Sequence, residues 1–453
     1  MVYYSIMKSQ MYFLFARYFR FFARIVLNRW RPRVVAVTGT AGKTSALQLL
    51  ASALETKYSV YVSKKANSAI GISYSILGIV PATYSVIEFL WFLMSTPFRC
   101  IYFYILKRDE TIFAVELDVD RPGEMEFMSA FIHPEVIYWV SSYAMHIESF
   151  AQLVAKGIYP DEVTAMSHEY AKIARGTSNA PLRLVVAAKN IHIVKALQGL
   201  KPIPLYIAES AIQSWTLGVK RTTFDIKVDK EIVSFTIDRI AQKNFGYTAL
   251  AVYTIGDYFG IDRQDILNVI KDYRFPPGRA TILPGVHNTT IIDSSYNSSF
   301  EACKGMLELL ATYMRRRKIA VLGDIRELGR LSQSEHERLA GEIITNSINQ
   351  VVLVGPNMKQ YVLPYLLDHG YTSEMVHYFS NTYQAGIFLK ERLSKAGDII
   401  LLKASQNTLF FEIIAEMMLE NKEDVSKLCR REKLWELKRQ QIIQDFYRQI
   451  HQE

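Results

Sequence analysis

The chain reads as an α/β protein. The expected plan is a phosphate-loop central domain on a doubly wound, mostly parallel sheet, a Rossmann-like C-terminal domain, and a basic amphipathic helix ahead of both. Three observations predict this. The β-prone run Val34-Val35-Ala36-Val37 leads into Thr38-Gly39-Thr40-Ala41-Gly42-Lys43-Thr44-Ser45 and the helix-prone Ala46-Leu47-Gln48-Leu49-Leu50. Short apolar runs then alternate with helical patterns as far as Asp398-Ile-Ile-Leu-Leu402. Between them, Arg274-Phe-Pro276-Pro277-Gly278-Arg279 marks a junction. The expected divisions are 1–32 (basic aromatic helix), 33–277 (central domain), 278–420 (C-terminal domain) and 421–453 (charged helical tail).

Bulk composition narrows the function classes. At 453 residues, half of them hydrophobic, the chain has room for two or three cores and is not a disordered segment. Cys100, Cys303 and Cys429 lie too far apart for a disulfide framework or a cysteine-type zinc site, which fits a reducing, cytoplasmic compartment. The net charge of +9 is concentrated at the N-terminus. Lys8, Arg17, Arg20, Arg24, Arg29, Arg31 and Arg33 precede the first acid, Glu55. Such a pole favours an anionic partner. No recognised module supports nucleic acid, and no secretion signal is legible, because aromatics and arginines interrupt any apolar core.

Within residues 11–30, Arg17, Arg20 and Arg24 fall at helical spacing beside a stripe of Leu14, Tyr18, Phe21 and Ile25. A basic aromatic helix of this kind suits a membrane interface, and equally suits packing on the body with solvated arginines. The stretch 84–106 is nearly all apolar, and its length reaches membrane-spanning range. Pro97, Glu88 and Arg99 favour two short amphipathic helices instead. With residues 1–33 it would form one face for an anionic membrane surface.

The glycines at 39 and 42 let backbone N–H groups turn toward a phosphate at a helix N-terminus. Lys43 would reach the β- and γ-phosphates of ATP, and the Thr44 hydroxyl would bind Mg²⁺. Strict phosphate loops carry glycine at the position of Val37. Further strands are expected at 58–63, 111–116, 134–140, 184–187 and 203–207, with a hairpin over 224–237 and a helix over 247–259. Glu116 and His146 follow strand ends, where an open α/β sheet places its ligand crevice. The C-terminal strands are expected at 290–293, 318–322, 350–354 and 398–402.

Together these motifs resemble the Mur ligases, the ATP-dependent amide ligases of peptidoglycan synthesis, and most closely the branch that adds D-alanyl-D-alanine. Thr38–Thr44 resembles the family's TGTxGKT loop and Asn67-Ser68-Ala-Ile-Gly71 its NNxIG substrate loop. Glu116 with Gly123-Glu124, and Ser141–Glu148 with His146, are similar to its metal-binding segments. Pro277-Gly-Arg279 matches the hinge arginine, and Asp293-Ser-Ser-Tyr296-Asn297 resembles DDxYN. Leu322-Gly-Asp324-Ile-Arg-Glu327-Leu-Gly329 with His336, and Lys403-Ala-Ser405 through Glu412, complete the series.

The resemblance implies ATP bound by Gly39 through Ser45 with Thr248, Arg279, Asp293, Tyr296 and Asn297, and Mg²⁺ on Thr44, Glu116 and His146. It implies a catalytic set of Lys43, His146, Arg279 and a carbamylated lysine, for which Lys172 is the match and His168 the competitor. Substrate contacts would fall to Ser63, Asn67, Ser68, Asp324, Glu327, His336, Lys403, Ser405 and Glu412. Thr248 stands in a weakened adenine-side motif, Gln406 replaces an arginine, and the family's UDP-binding domain has no counterpart ahead of Val34. The implied reaction is ADP-forming amide ligation through an acyl phosphate by a monomer, in the cytoplasm or on the inner membrane face. Two alternatives stand beside it: a same-fold ligase acting on an amino acid or polyglutamate chain, and a membrane-associated NTP-binding or hydrolysing protein.

Overall fold

The computed structural model describes residues 9–450 except 64–66, 83–84, 146, 177–182, 188–189, 202–203, 219–220 and 406–407. His146 and Gln406 therefore lie outside the described residues. Three sheets carry the architecture. The central one is all parallel in the order β2-β3-β1-β4-β5-β6: β1 Arg33–Thr38, β2 Val60–Val62, β3 Ile112–Leu117, β4 Val136–Trp139, β5 Arg183–Ala187 and β6 Leu205–Ile207. Both faces of its middle strands are covered, so they read as continuous apolar runs. A small antiparallel sheet follows (β7 Ile212–Leu217, β8 Thr222–Val228, β9 Glu231–Ile237), one strand more than the expected hairpin.

The C-terminal sheet has the order β10-β11-β15-β12-β13-β14. Its strands are β10 Thr281–Gly285, β11 Thr289–Asp293, β12 Lys318–Gly323, β13 Gln350–Val354, β14 Val376–Phe379 and β15 Ile399–Lys403. All neighbours are parallel except the β10–β11 edge pair. Neither β10, interrupted by Pro284, nor the four-residue β14 stood out in the sequence.

Helices α1 (Ser9–Trp30), α2 (Lys43–Glu55), α3 (Ala69–Ile76) and α4 (Val86–Ile105) belong to the central lobe. The buried face of α1 is Tyr12, Ala16, Phe19, Ala23, Val26 and Trp30, at helical spacing. That face divides the expected stripe: Leu14 and Phe21 are exposed beside Arg17 and Arg24, while Tyr18 and Ile25 pack inward. The expected pair of helices over 84–106 is one helix, α4, with Pro97 inside it. Proline strips a helix of one i→i−4 bond and would leave the Leu93 carbonyl bare. The Tyr18 hydroxyl donates to that carbonyl at 2.7 Å and replaces the lost hydrogen bond, which lowers the cost of continuing the helix.

Candidate active site

Strand β1 has β3 on one side and β4 on the other, so the chain reverses direction across the sheet there, the usual crevice of an open α/β sheet. The loop after β1 occupies it. Gly39 has φ +123°, and a Cβ would lie 2.6 Å from the Ser141 carbonyl oxygen, so only glycine fits. Gly42, also left-handed at φ 82°, opens α2. The Ser141 hydroxyl accepts from the Ala41 N–H and donates to the Ala41 carbonyl, both at 2.9 Å. The Tyr143 N–H donates to the Thr40 hydroxyl at 3.0 Å. The loop is thus pre-shaped by the segment after β4.

Lys43 is almost fully buried and forms an ion pair with Asp118 Oδ2 at 2.9 Å. Asp118 also accepts from the Tyr170 hydroxyl at 2.7 Å, and Tyr170 in turn reaches the Gly39 carbonyl. Asn67 Nδ2 spans Glu116 (3.4 Å) and Asp118 (3.3 Å), and the Ser63 hydroxyl accepts from the Glu116 N–H at 3.1 Å. Two carboxylates from one strand end therefore stand beside the phosphate-loop lysine. Asp118, Ser141 and Tyr170 were not singled out from sequence; the available signal for Asp118 was its two-residue spacing from Glu116, which puts both on one side of the extended chain.

The cavity at this crevice encloses about 1880 Å³ and runs between the lobes. Of the residues expected to bind nucleotide, Thr40 to Ser45, Thr248, Arg279, Tyr296 and Asn297 all border it, as do Ser63, Asn67, Glu116 and Lys403. Arg279 crosses from the C-terminal lobe, its guanidinium 3.4 Å from the Thr44 hydroxyl and 4.7 Å above the Tyr296 ring. Lys403 donates to the carbonyls of Ser294 and Asn297, and burial pushes its ammonium down to about 8. Asp293 lies behind this loop, fully buried; Oδ1 accepts from the Ser295 N–H, Oδ2 has no hydrogen-bond partner among the described residues, and burial pushes the carboxyl up.

Several expected site residues are engaged elsewhere. Two further helices of this lobe are α5 (Glu124–Ser129) and α6 (Glu162–Arg175); Lys172, on α6, does not border the cavity. It pairs with Glu126 and Glu169 at 2.9 Å each; burial opposes its charge, but the two carboxylates outweigh that and hold it above the ordinary lysine value. Carbamylation requires a neutral amine, so these surroundings oppose it. Helix α6 instead points Ser167 and Tyr170 toward the strand ends. His168 lies beside Tyr159 with the ring centres 5.2 Å apart and the planes tilted by 37°, away from the cavity.

His336 is a satisfied core histidine: Nδ1 donates to the Ser332 carbonyl at 2.6 Å, and Nε2 accepts from the Ile325 N–H at 3.1 Å. Burial lowers its pKa and keeps it neutral. Asp324 accepts from the Met358 N–H at 3.0 Å, and the Ser405 hydroxyl accepts from the Arg326 N–H at 3.1 Å. Ser68 caps α3 by accepting from the Gly71 N–H, and Glu327 holds a left-handed backbone at φ 62°. Glu412 is buried against Arg430 (3.1 Å) and Arg439 (3.9 Å). Ser68, Asp324, Glu327, His336, Ser405 and Glu412 do not border the cavity.

Among the described residues no cluster of three or more His, Cys, Asp or Glu would hold a metal by itself. Mg²⁺ does not need one, since it takes one or two carboxylates plus phosphates and water. Thr44, Glu116 and Asp118 fit that donor set.

Fold and site define a class: a two-lobed phosphate-loop α/β protein whose second lobe delivers an arginine to the loop. What this chain is similar to, over its C-terminal lobe and at low identity over most of its length, is the Mur ligases. A family model described as "Mur ligase, glutamate ligase domain" matches residues 278–406. The UDP-N-acetylmuramoyl-tripeptide–D-alanyl-D-alanine ligase of Borreliella burgdorferi is 24% identical over 340 residues, 74% of this chain; the match spans only 64% of that relative's length. The ligase of the same name from Bacillus subtilis is 21% identical over 419 residues, 87% of this chain and 78% of its own. Among solved structures, MurF from Thermotoga maritima in complex with ADP superposes with a TM-score of 0.67 at 19% identity, covering 89% of this chain and 83% of its own. An FPGS–AMPPCP complex reaches 0.54 at 12% identity, covering 88% and 95%.

Proposed function

We propose that the protein is an ATP-dependent, ADP-forming ligase that joins an amine to a peptide carboxylate, with D-alanyl-D-alanine as donor and a cell-wall peptide precursor as acceptor. The observation that carries the reading is the meeting of Lys43, Glu116 and Asp118 with Arg279 of the opposite lobe at one phosphate loop. The acceptor carboxylate attacks the γ-phosphorus, the bond to the ADP oxygen breaks, and an acyl phosphate forms. The amine then attacks the acyl carbon, phosphate leaves, and the nitrogen sheds a proton. Phosphoryl transfer depends on positioning and charge neutralisation. Lys43 and the loop N–H groups would hold the phosphates, and Arg279 would add positive charge as the second lobe excludes water. Thr44, Glu116 and Asp118, with His146, would hold Mg²⁺, which neutralises phosphate charge when bound. Names of the relatives support the donor and acceptor. The test is amine-dependent ADP release, screened with D-alanyl-D-alanine, L-glutamate and diaminopimelate. Release with L-glutamate alone would favour the polyglutamate-type alternative, and release indifferent to any amine would leave only a nucleotide hydrolase.

A second part of the reading concerns location. We propose that α1 and α4 rest on an anionic membrane surface. Supporting this, α4 is long and apolar enough to cross a membrane yet buries little of itself: Ile87, Trp91, Met94, Phe98 and Ile105 are all more than 60% exposed. A continuous apolar row of that size is rare on a soluble surface. Beside it, α1 exposes Arg17 and Arg24, and α1 contains no acid. Arg99 donates to the Gly78 carbonyl and tethers α4 to the body, which favours lying in the interface over spanning. The full chain should float with phosphatidylglycerol-containing vesicles, less with neutral ones, and a Trp91→Glu/Phe98→Glu variant should lose binding; flotation with neither vesicle would remove the idea.

A further inference from the structure

The tail, legible from sequence only as a charged stretch, folds back onto the cleft over residues 421–450. A short 3-10 stretch, Lys422–Lys427, leads to Arg430, and the long helix Lys433–Ile450 follows. Arg430 holds a left-handed backbone at φ 54°, a conformation that a non-glycine residue keeps only when its surroundings impose it. They do so here. Its guanidinium, with the side chain 4% exposed, donates to Glu412 at 3.1 Å and to the carbonyls of Ser295 and Tyr296. Arg439 donates to the Arg430 carbonyl.

The same guanidinium lies 5.1 Å from the Tyr296 ring and 6.0 Å from that of Trp435. Since Arg279 is 4.7 Å from Tyr296 and bonded to Thr44, a series of alternating cations and rings runs from the phosphate loop into the tail. Both Arg430 and Trp435 border the cavity that holds the phosphate loop.

We propose that residues 428–439 are part of the nucleotide site, Arg430 positioning Tyr296 and Trp435 offering an aromatic face to the base. This deepens the ligase reading and rests on its nucleotide-binding half. Aromatic rings bind bases through their π-faces without needing a fixed hydrogen-bond pattern, which suits a site whose adenine-side motif is otherwise reduced to Asn244–Thr248. The loop Asp293–Asn297 spends its carbonyls on Arg430 and Lys403, so the tail sets where Tyr296 stands.

The test compares ADP with inorganic tripolyphosphate, each titrated calorimetrically into the full-length protein with Mg²⁺. Trp435→Ala should weaken ADP by roughly 5- to 150-fold, the span of base–aromatic stacking, and leave tripolyphosphate within about twofold. Trp435→Phe should recover most of the loss. Arg430→Lys keeps a charge beside Glu412 but not the forked reach to two carbonyls; it should raise KM for ATP more than it lowers kcat. Equal loss for both ligands in Trp435→Ala, or no loss for either, would overturn the proposal while leaving nucleotide binding intact. A wild-type chain that binds neither ligand would sink the nucleotide reading itself.

Discussion

The two large sheets have six strands each and similar winding, yet they treat the residues beyond their strand ends in opposite ways. In the central lobe, Lys43, Glu116, Asp118 and Asn67 bond mainly to one another and face a cavity. In the C-terminal lobe, Asp324, His336 and Ser405 bond to neighbouring backbone, and Glu412 is held by two arginines of the tail. The first four are thus available to a ligand, whereas the second four hold their lobe together, and the C-terminal lobe reaches the cavity through Arg279, Tyr296, Asn297 and Lys403 instead. Position after a strand is not enough to tell chemistry from scaffolding; what fills the crevice decides.

Four experiments press on that contrast. The largest effect should come from Glu412→Ala, which leaves Arg430 and Arg439 buried without their carboxylate; breaking such a buried pair costs about 3–5 kcal/mol, measured by denaturant unfolding. A variant as stable as wild type would mean that the pair is not structural. Next, Lys43→Ala should cut ATP turnover by about 10²–10³-fold, as loss of one preorganised charge-stabilising group does, with ADP release as the readout. If turnover survives, the central crevice is not the reacting one.

A pH effect should come third. Burial pushes the Glu124 carboxyl up to about 7, against the opposing hydrogen bond from Tyr12 of α1. Folded protein therefore keeps this proton to higher pH than unfolded chain does. Its contribution is complete below the ordinary glutamate value and is lost as pH rises from there through about 7, worth at most ~3 kcal/mol. Melting temperature should fall between pH 5 and pH 8, and Glu124→Gln should flatten that slope. The smallest effect should follow Lys172→Ala: its partly exposed pairs with Glu126 and Glu169 are worth about 1 kcal/mol or less. ADP release should stay near wild type; bicarbonate-dependent loss of activity would return Lys172 to the reaction.

The strand–loop–helix at 33–55 and the parallel strands were legible because each is a local pattern: apolar period and glycine punctuation. Glycine at 39 follows from the approach of Ser141, a hundred residues on, yet the residue itself advertises the need. Local pattern failed where a distant group changed the balance. Pro97 reads as a break until Tyr18 supplies the bond that the proline removed. His336 and Glu412 read as ligand contacts until Ser332 and Ile325 bond the imidazole and the tail arginines neutralise the carboxylate.

Sequence alone determined the class of protein and its phosphate loop, since covalent order and short-range periodicity are enough to specify a strand, a turn and a helix N-terminus. Only tertiary structure decided which polar side chains remain available for chemistry. Hydrogen-bond capacity and charge are used up by whichever partner folding brings within about 3 Å, and that partner can come from anywhere in the chain.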